Sequence, residues 1–279
     1  MAKPRIALVP YGTPIDRTLG VQQLADMQWP LGPPPDTSGR LGDLGPEDHV
    51  LIYPKTSMYL SPPRLRAKLS VMVVEPRAIH GRHLALLRLF GGRFHRVFTH
   101  DPRMLRRVNA RFLPAASTWV PDYANLDLTK TKGVSMIVSG KGKLPGHRLR
   151  HQLAEGLEGV DLMGRAHAPF EDKGAALAPY RYTVVIENVR SPGYFSEKLI
   201  DALLCEVVPI YWGAPDVTAY FDARALMRCE SLSELRAAIA RADEGLYDAL
   251  RPAMGIAKAQ AERLQDYRAL AARTLADEG

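Results

Sequence analysis

The chain has 279 residues, 46% of them hydrophobic, with 22 Gly, 22 Pro and two cysteines. That length suits two domains of about 100–150 residues each, and the apolar content excludes a disordered chain. Cys205 and Cys229 have no ligand-like spacing and no partner pattern, which excludes a disulfide scaffold and predicts a reducing compartment. The formal charge of +7 is uneven: residues 1–125 carry 17 Lys and Arg against 9 Asp and Glu, residues 126–279 carry 20 against 21.

In chain order, "RIALVPY" (5–11) predicts a strand, and the Gly/Pro-rich "WPLGPPPDTSGRLGDLGPED" (29–48) a loop. "HVLIYP" (49–54) and "LSVMVVEP" (69–76) predict short buried strands. "HGRHLALLRLFGG" (80–92) predicts a helix stopped by two glycines. "RVFTHD" (96–101) reads as a strand and "PRMLRRVNA" (102–110) as a short helix. Periodicity lapses over "VPDYANLDLTKTKG" (120–133), which places a linker there and divides the chain into 1–125 and 126–279.

The second half restarts with strand 134–139, loop "GKGKLPG" (140–146), helix 147–157 and strand 160–164. Strand 182–187, helix 196–206 and strand 207–212 follow, then helical sequence over 231–242 and 244–275. Alternating strands and helices predict an α/β protein with a parallel sheet in each half. No stretch approaches the roughly 20 apolar residues of a membrane span, and the N-terminus lacks a signal-peptide pattern. The chain therefore reads as soluble and cytoplasmic. Nine arginines and a single acid, Asp101, lie between Arg77 and Arg111, so the first half could attract an anionic membrane surface or an acidic glycolipid. That cluster has few interleaved aromatics and no nucleic-acid motif, which sets nucleic acid aside.

Ligands of open parallel sheets bind at the carboxyl ends of the strands. In "VVIENVRSPGYFSEKLIDALLCEVVPIYWG" (184–213), Glu187 and Asn188 end one strand and Ser196, Glu197 and Lys198 open the next helix. A helix start offers free N–H groups and a positive dipole end, an anion site to which Lys198 adds a cation. Glu197 can accept the two hydroxyls of a ribose, and Tyr194 supplies an aromatic face. Plain dipole complementation by Glu197 is the competing reading. "SGKGKLPGHRLR" (139–150) is a second phosphate candidate through Lys141, Arg148 and Arg150; a mobile basic loop is its alternative. Glu75, ending a strand in the first half, is a candidate general base, against the alternatives of a helix cap or an ion pair with Arg77. No His pair makes a metal site. No Asp-x-Asp occurs either, so no metal is expected on a diphosphate.

The stretch 180–222 resembles the donor-binding core of the family 10 glycosyltransferases, the α-1,3/α-1,4-fucosyltransferases. Tyr180, Arg181, Glu187, Asn188, Tyr194, Ser196, Glu197, Lys198, Pro209, Ile210, Tyr211 and Gly213 match in order. Residues 134–165 look like that family's first donor-domain βαβ unit. The resemblance is weak before 125 and absent from the final helices. It implies a GT-B fold, two Rossmann-like domains whose parallel sheets face a cleft, with the acceptor domain first and the nucleotide-sugar domain second. It implies an inverting transfer from GDP-fucose to a glycan hydroxyl, without a required cofactor. Lys198 and Arg148, with Arg150 as the alternative, would bind the diphosphate, and Glu197 the ribose. Asn188 and Tyr194 would line the nucleotide or fucose pocket, and Glu75 would be the base, although "VVEP" departs from that residue's usual surroundings. The basic first half suggests an anionic acceptor such as a lipopolysaccharide. A transferase of the same fold using another nucleotide sugar, or a degenerate one that binds donor without turnover, stays open.

Overall fold

The apolar runs of the first half become short strands whose two faces are both covered. The computed structural model describes residues 3–165 and 167–278. Within it, Ile6–Leu8 (β1), His49–Ile52 (β2), Lys68–Val73 (β3), Val97–Thr99 (β4) and Ala110–Phe112 (β5) form one parallel sheet in the order β1-β2-β3-β4-β5. A four-residue helix, Ser57–Leu60 (α1), follows β2, and Arg77–Phe90 (α2) joins β3 to β4. Successive strand residues point to opposite faces. Ala7, Val50, Ile52, Val71, Val73 and Val97 therefore pack with Leu84 and Leu87 of α2, whereas Ile6, Leu8, Leu51, Met72 and Phe98 belong to a separate apolar layer. Near-continuous apolar strands are the mark of a sheet buried on both sides.

The second sheet is built from Lys132–Ile137 (β6), Val160–Met163 (β7), Tyr180–Ile186 (β8), Val208–Trp212 (β9) and Met227–Arg228 (β10). Its helices are Pro145–Ala154 (α3), Lys173–Leu177 (α4), Glu197–Leu204 (α5), Leu232–Ala240 (α6) and Glu244–Leu264 (α7). All its pairings are parallel, in the order β10-β9-β8-β6-β7. The chain moves outward from β6 to β7 and then crosses back to β8 on the other side of β6. Between β6 and β8 the winding reverses, and such a switch point opens a crevice at the carboxyl ends of the strands. The core beneath is dominated by β8, α5 and β9, including Tyr182, Val184, Ile186, Leu199, Leu203, Val208 and Ile210.

The last helix, Tyr267–Asp277 (α8), returns to the first sheet. Ala271, Ala272 and Leu275 cover the face formed by Ile6, Leu8, Leu51, Met72 and Phe98. The Tyr267 hydroxyl meets that of Tyr53 at 3.1 Å. Glu278, just past α8, is clamped by Arg96 Nε at 2.6 Å and Arg111 Nε at 2.7 Å.

Two compact units result, residues 1–114 with 267–279 and residues 115–266. The lapse in periodicity places the division at 125/126 and the terminal helices with the second half. In the structure the junction lies earlier and the final helix belongs to the first unit. Residues 102–110 do not form the expected helix. The Asp101 carboxylate accepts the N–H groups of Arg103 and Met104, one 3-10 turn follows at Met104–Arg106, and the chain then extends into β5. Cys205 and Cys229 are buried free thiols.

Candidate functional site

At the carboxyl end of β8 the fully buried Glu187 faces the start of α5. Its Oε1 accepts the Ser196 backbone N–H at 2.8 Å and its Oε2 accepts the Ser196 hydroxyl at 2.7 Å. Ser196 is the N-cap of α5, and its Oγ also accepts from the Lys198 N–H at 3.4 Å and from Lys198 Nζ at 3.1 Å. One hydroxyl thus donates to a buried carboxylate and accepts from a cation. The 184–213 stretch places its charges here, where a strand end and a helix start each leave polar groups that side chains can satisfy.

Lys198 Nζ lies 2.9 Å from Glu197 Oε1 and 3.9 Å from Glu187 Oε2. Burial works against the lysine's charge, but the two carboxylates outweigh it and hold its pKa above the ordinary lysine value. Burial lifts the Glu187 carboxyl above the usual carboxylate range, with Lys198 and Ser196 pulling the other way. At Glu197 the balance is reversed: burial would raise the carboxyl, yet Lys198 and Lys173 hold it below its usual value. Of the two, Glu197 is the carboxylate with surface access, its side chain 18% exposed against none for Glu187. Glu187 reaches only Ser196 and the neighbourhood of Lys198, without access to solvent.

The second element at the site is α3. Gly146, His147, Arg150 and Leu153 fall on its buried face. Gly146 packs so closely that a Cβ there would lie 1.7 Å from the Glu187 carbonyl oxygen, and its N–H donates to the Asn188 carbonyl at 3.0 Å. Arg150 is 5% exposed; its guanidinium donates to the Ile186 carbonyl at 2.7 Å and to Ser139 Oγ at 3.1 Å. It thereby ties β8 to the loop after β6, across the switch point. Burial lowers its pKa, while Glu187 and Glu197 support its charge. Arg148, the sequence's first choice for a phosphate ligand, is exposed and donates to the Lys143 carbonyl at 2.8 Å. The structure brings Arg150, not Arg148, into the field of Glu187, Glu197 and Lys198. Lys141 is exposed in the loop, where its carbonyl meets His151 Nε2 at 3.0 Å.

A polar chain runs beside these charges. The Leu144 N–H donates to His147 Nδ1 at 3.3 Å, which leaves the hydrogen on Nε2. That nitrogen donates to Asn188 Oδ1 at 3.1 Å, and Asn188 Nδ2 donates to the Tyr194 hydroxyl at 3.3 Å. His147 was not among the sequence candidates; its position one turn before Arg150 on the buried face is the signal that could have found it. The turn between Asn188 and Ser196 uses Gly193 at φ +65°, and the Gly193 N–H donates to Asp216 Oδ1 at 2.8 Å. Gly213 closes the floor: a Cβ there would meet the Tyr211 hydroxyl at 2.2 Å and Glu187 Cγ at 2.7 Å.

In the first unit, Glu75 lies in the bend between β3 and α2 and is partly buried. Pro76 is the N-cap residue of α2, and Arg77 makes a bidentate pair with Asp101, at 2.8 Å and 3.0 Å from one guanidinium nitrogen. Among the described residues no group of three or more His, Cys, Asp or Glu side chains could hold a metal ion.

Two α/β units, each built on a parallel sheet, are the parts of a GT-B fold, and comparisons with solved structures show that fold. The chain is similar to a crystal structure of an α1,3-fucosyltransferase with GDP, at TM-score 0.53 and 15% identity, covering 81% of this chain and 77% of that one. It is also similar to an α,α-trehalose-phosphate synthase (UDP-forming) from Burkholderia xenovorans, at TM-score 0.57 and 11% identity, covering 83% and 73%. In sequence, 69 residues are 32% identical to the α-(1,3)-fucosyltransferase FucT of Helicobacter pylori, 25% of this chain and 14% of that protein's length. No protein-family model matches the chain. The fold is of the GT-B type.

Proposed function

We propose that the protein is an inverting glycosyltransferase that moves fucose from GDP-fucose to a hydroxyl of a glycan, of the bacterial surface or lipopolysaccharide type. The observation that carries this reading is the convergence of Lys198, Arg150 and Glu197 at the switch point of the second sheet, with Lys198 and Glu197 inside the stretch 180–222 that resembles a fucosyltransferase donor core. Lys198 and Arg150 take the diphosphate, with the first turn of α5 adding N–H groups. Glu197 releases its hold on Lys198 to accept the ribose hydroxyls. Asn188, held by His147, and Tyr194 line the nucleotide or fucose end.

In the transfer, the acceptor oxygen attacks the fucose anomeric carbon from the face opposite the leaving group, and configuration inverts. The bond from that carbon to the β-phosphate oxygen breaks, and its electron pair leaves with GDP. The acceptor's proton passes to Glu75. Cations fixed at a developing negative charge contribute about 10²–10³ in rate each, and a positioned base about 10²–10⁴. The two cations neutralise the diphosphate, so no metal is required in this scheme.

Similarity to a UDP-forming enzyme at a comparable TM-score supports a second reading, the same chemistry with another nucleotide sugar. Calorimetry with GDP, UDP and ADP separates the two. Preference for GDP, followed by a β-to-α change of anomer in the fucosylated product, is the expected result. Tighter binding of UDP would move the assignment to the second reading.

A further inference from the structure

Leu89 near the end of α2 is 77% exposed, and Val108 in the loop before β5 is 96% exposed. The two belong to one neighbourhood. Arg107, beside Val108, donates to the Arg88 carbonyl at 3.0 Å, and on the other side Asn109 Nδ2 donates to the carbonyls of Gly91 and Phe94, each at 2.9 Å. Arg88, Arg93 and Arg106 are exposed around this apolar pair, and the Arg93 guanidinium sits 4.7 Å from the centre of the Phe90 ring. The single acid between Arg77 and Arg111 is Asp101, which is paired with Arg77. Among the described residues, Arg88, Arg93, Arg106 and Arg107 form no ion pair.

Exposed arginines alone are an ordinary solvated surface. Two aliphatic side chains that leave most of their surface in water among them contribute little to folding. Apolar tips ringed by cations fit an interface whose outer layer is negatively charged and whose next layer is hydrocarbon. Nucleic acid would reward the charge and not the aliphatic pair.

We propose that the surface formed by the end of α2 and the 106–109 loop docks on a membrane rich in anionic lipid headgroups. Arg88, Arg93, Arg106 and Arg107 meet the headgroups, and Leu89 and Val108 enter the acyl boundary. This is independent of the donor-site reading.

The test is co-sedimentation of the full chain with phosphatidylglycerol–phosphatidylcholine vesicles and with phosphatidylcholine alone. Binding to the anionic vesicles only, weakening as salt rises, is expected. The Leu89→Ser/Val108→Ser double variant should keep its thermal transition and lose at least about tenfold in vesicle affinity. Arg88→Gln/Arg93→Gln should lose about fivefold per arginine. Failure of the wild-type chain to bind anionic vesicles at low salt would overturn the proposal. So would unchanged binding by the Leu89/Val108 variant, or binding to an oligonucleotide as tight as to vesicles and indifferent to that variant.

Discussion

The side chains of Glu187 and Ser196, nine positions apart, meet at 2.7 Å inside the second unit, where the glutamate is wholly removed from solvent. A strand end is thereby clasped to the next helix start, and the orientation of Lys198 follows from the clasp, because its Nζ also rests on the Ser196 hydroxyl. Ser196→Ala removes a helix cap and one hydrogen bond to a buried carboxylate. Together these should cost about 2–4 kcal/mol. Urea denaturation measures this, and a loss below about 0.5 kcal/mol would show that the clasp contributes nothing.

Gly146 admits no side chain, since its Cβ position coincides with the Glu187 carbonyl. Gly146→Ala should destabilise by more than about 3 kcal/mol or prevent folding. Gly140 has nothing within 4 Å of the same position, so Gly140→Ala should stay within about 0.5 kcal/mol of wild type. Thermal melting of the two variants side by side makes the comparison.

Two arginines of one helix separate by phase. Arg150→Met and Lys198→Ala should each weaken GDP binding at least about tenfold, with circular dichroism confirming the fold. Arg148→Ala should change it by less than about threefold. If Arg148→Ala has the larger effect, the diphosphate sits outside the crevice described above.

Glu75 lies in the first unit, and the proposed transfer uses it as the base and not as a nucleotide ligand. Glu75→Gln should reduce fucose transfer by about 10²–10⁴ while leaving GDP affinity unchanged. A full transfer rate in this variant would remove Glu75 from the mechanism.

Glu278 gives a pH signature. Burial would raise its carboxyl pKa, but hydrogen bonds from Arg96 and Arg111 outweigh burial and lower it. A depressed carboxyl contributes stability above its unfolded pKa and loses it as pH falls through the folded one. Glu278→Gln should therefore cost about 1–2 kcal/mol near pH 7, and the gap to wild type should close as pH drops below the ordinary glutamate range. Melting curves at pH 7, 5 and 3.5 would show it; a gap that does not depend on pH would assign the effect to packing.

The strands of both sheets were legible because their two covered faces demand unbroken apolar runs, as in β3 and β8. The capped start of α5 was legible because serine, glutamate and lysine in that order satisfy a helix terminus. β5 and β10 were not: they are short edge strands, and the exposed side chains of Phe112 and Arg228 interrupt any pattern. The helix expected at 102–110 looked plausible by propensity, but Asp101 turned its first N–H groups into a single capped turn. The placement of Arg150 was in principle available, because it shares a helical face with Gly146 and Leu153. The uncertain loop length before the helix leaves Arg148 and Arg150 both open in the sequence; rotation about the helix distinguishes them. For α8, small apolar residues announce a buried face without naming what it covers, and no local pattern could have returned it to the first sheet.

That return has a consequence for biosynthesis. The polypeptide needed for the second unit is uninterrupted, whereas the first unit requires residues on both sides of it. On the ribosome, residues 115–266 emerge complete while Ile6, Leu8 and Phe98 still await the helix that shields them from water. The part made first is finished last, and in the interval its uncovered sheet face offers a site for chaperone capture or self-association.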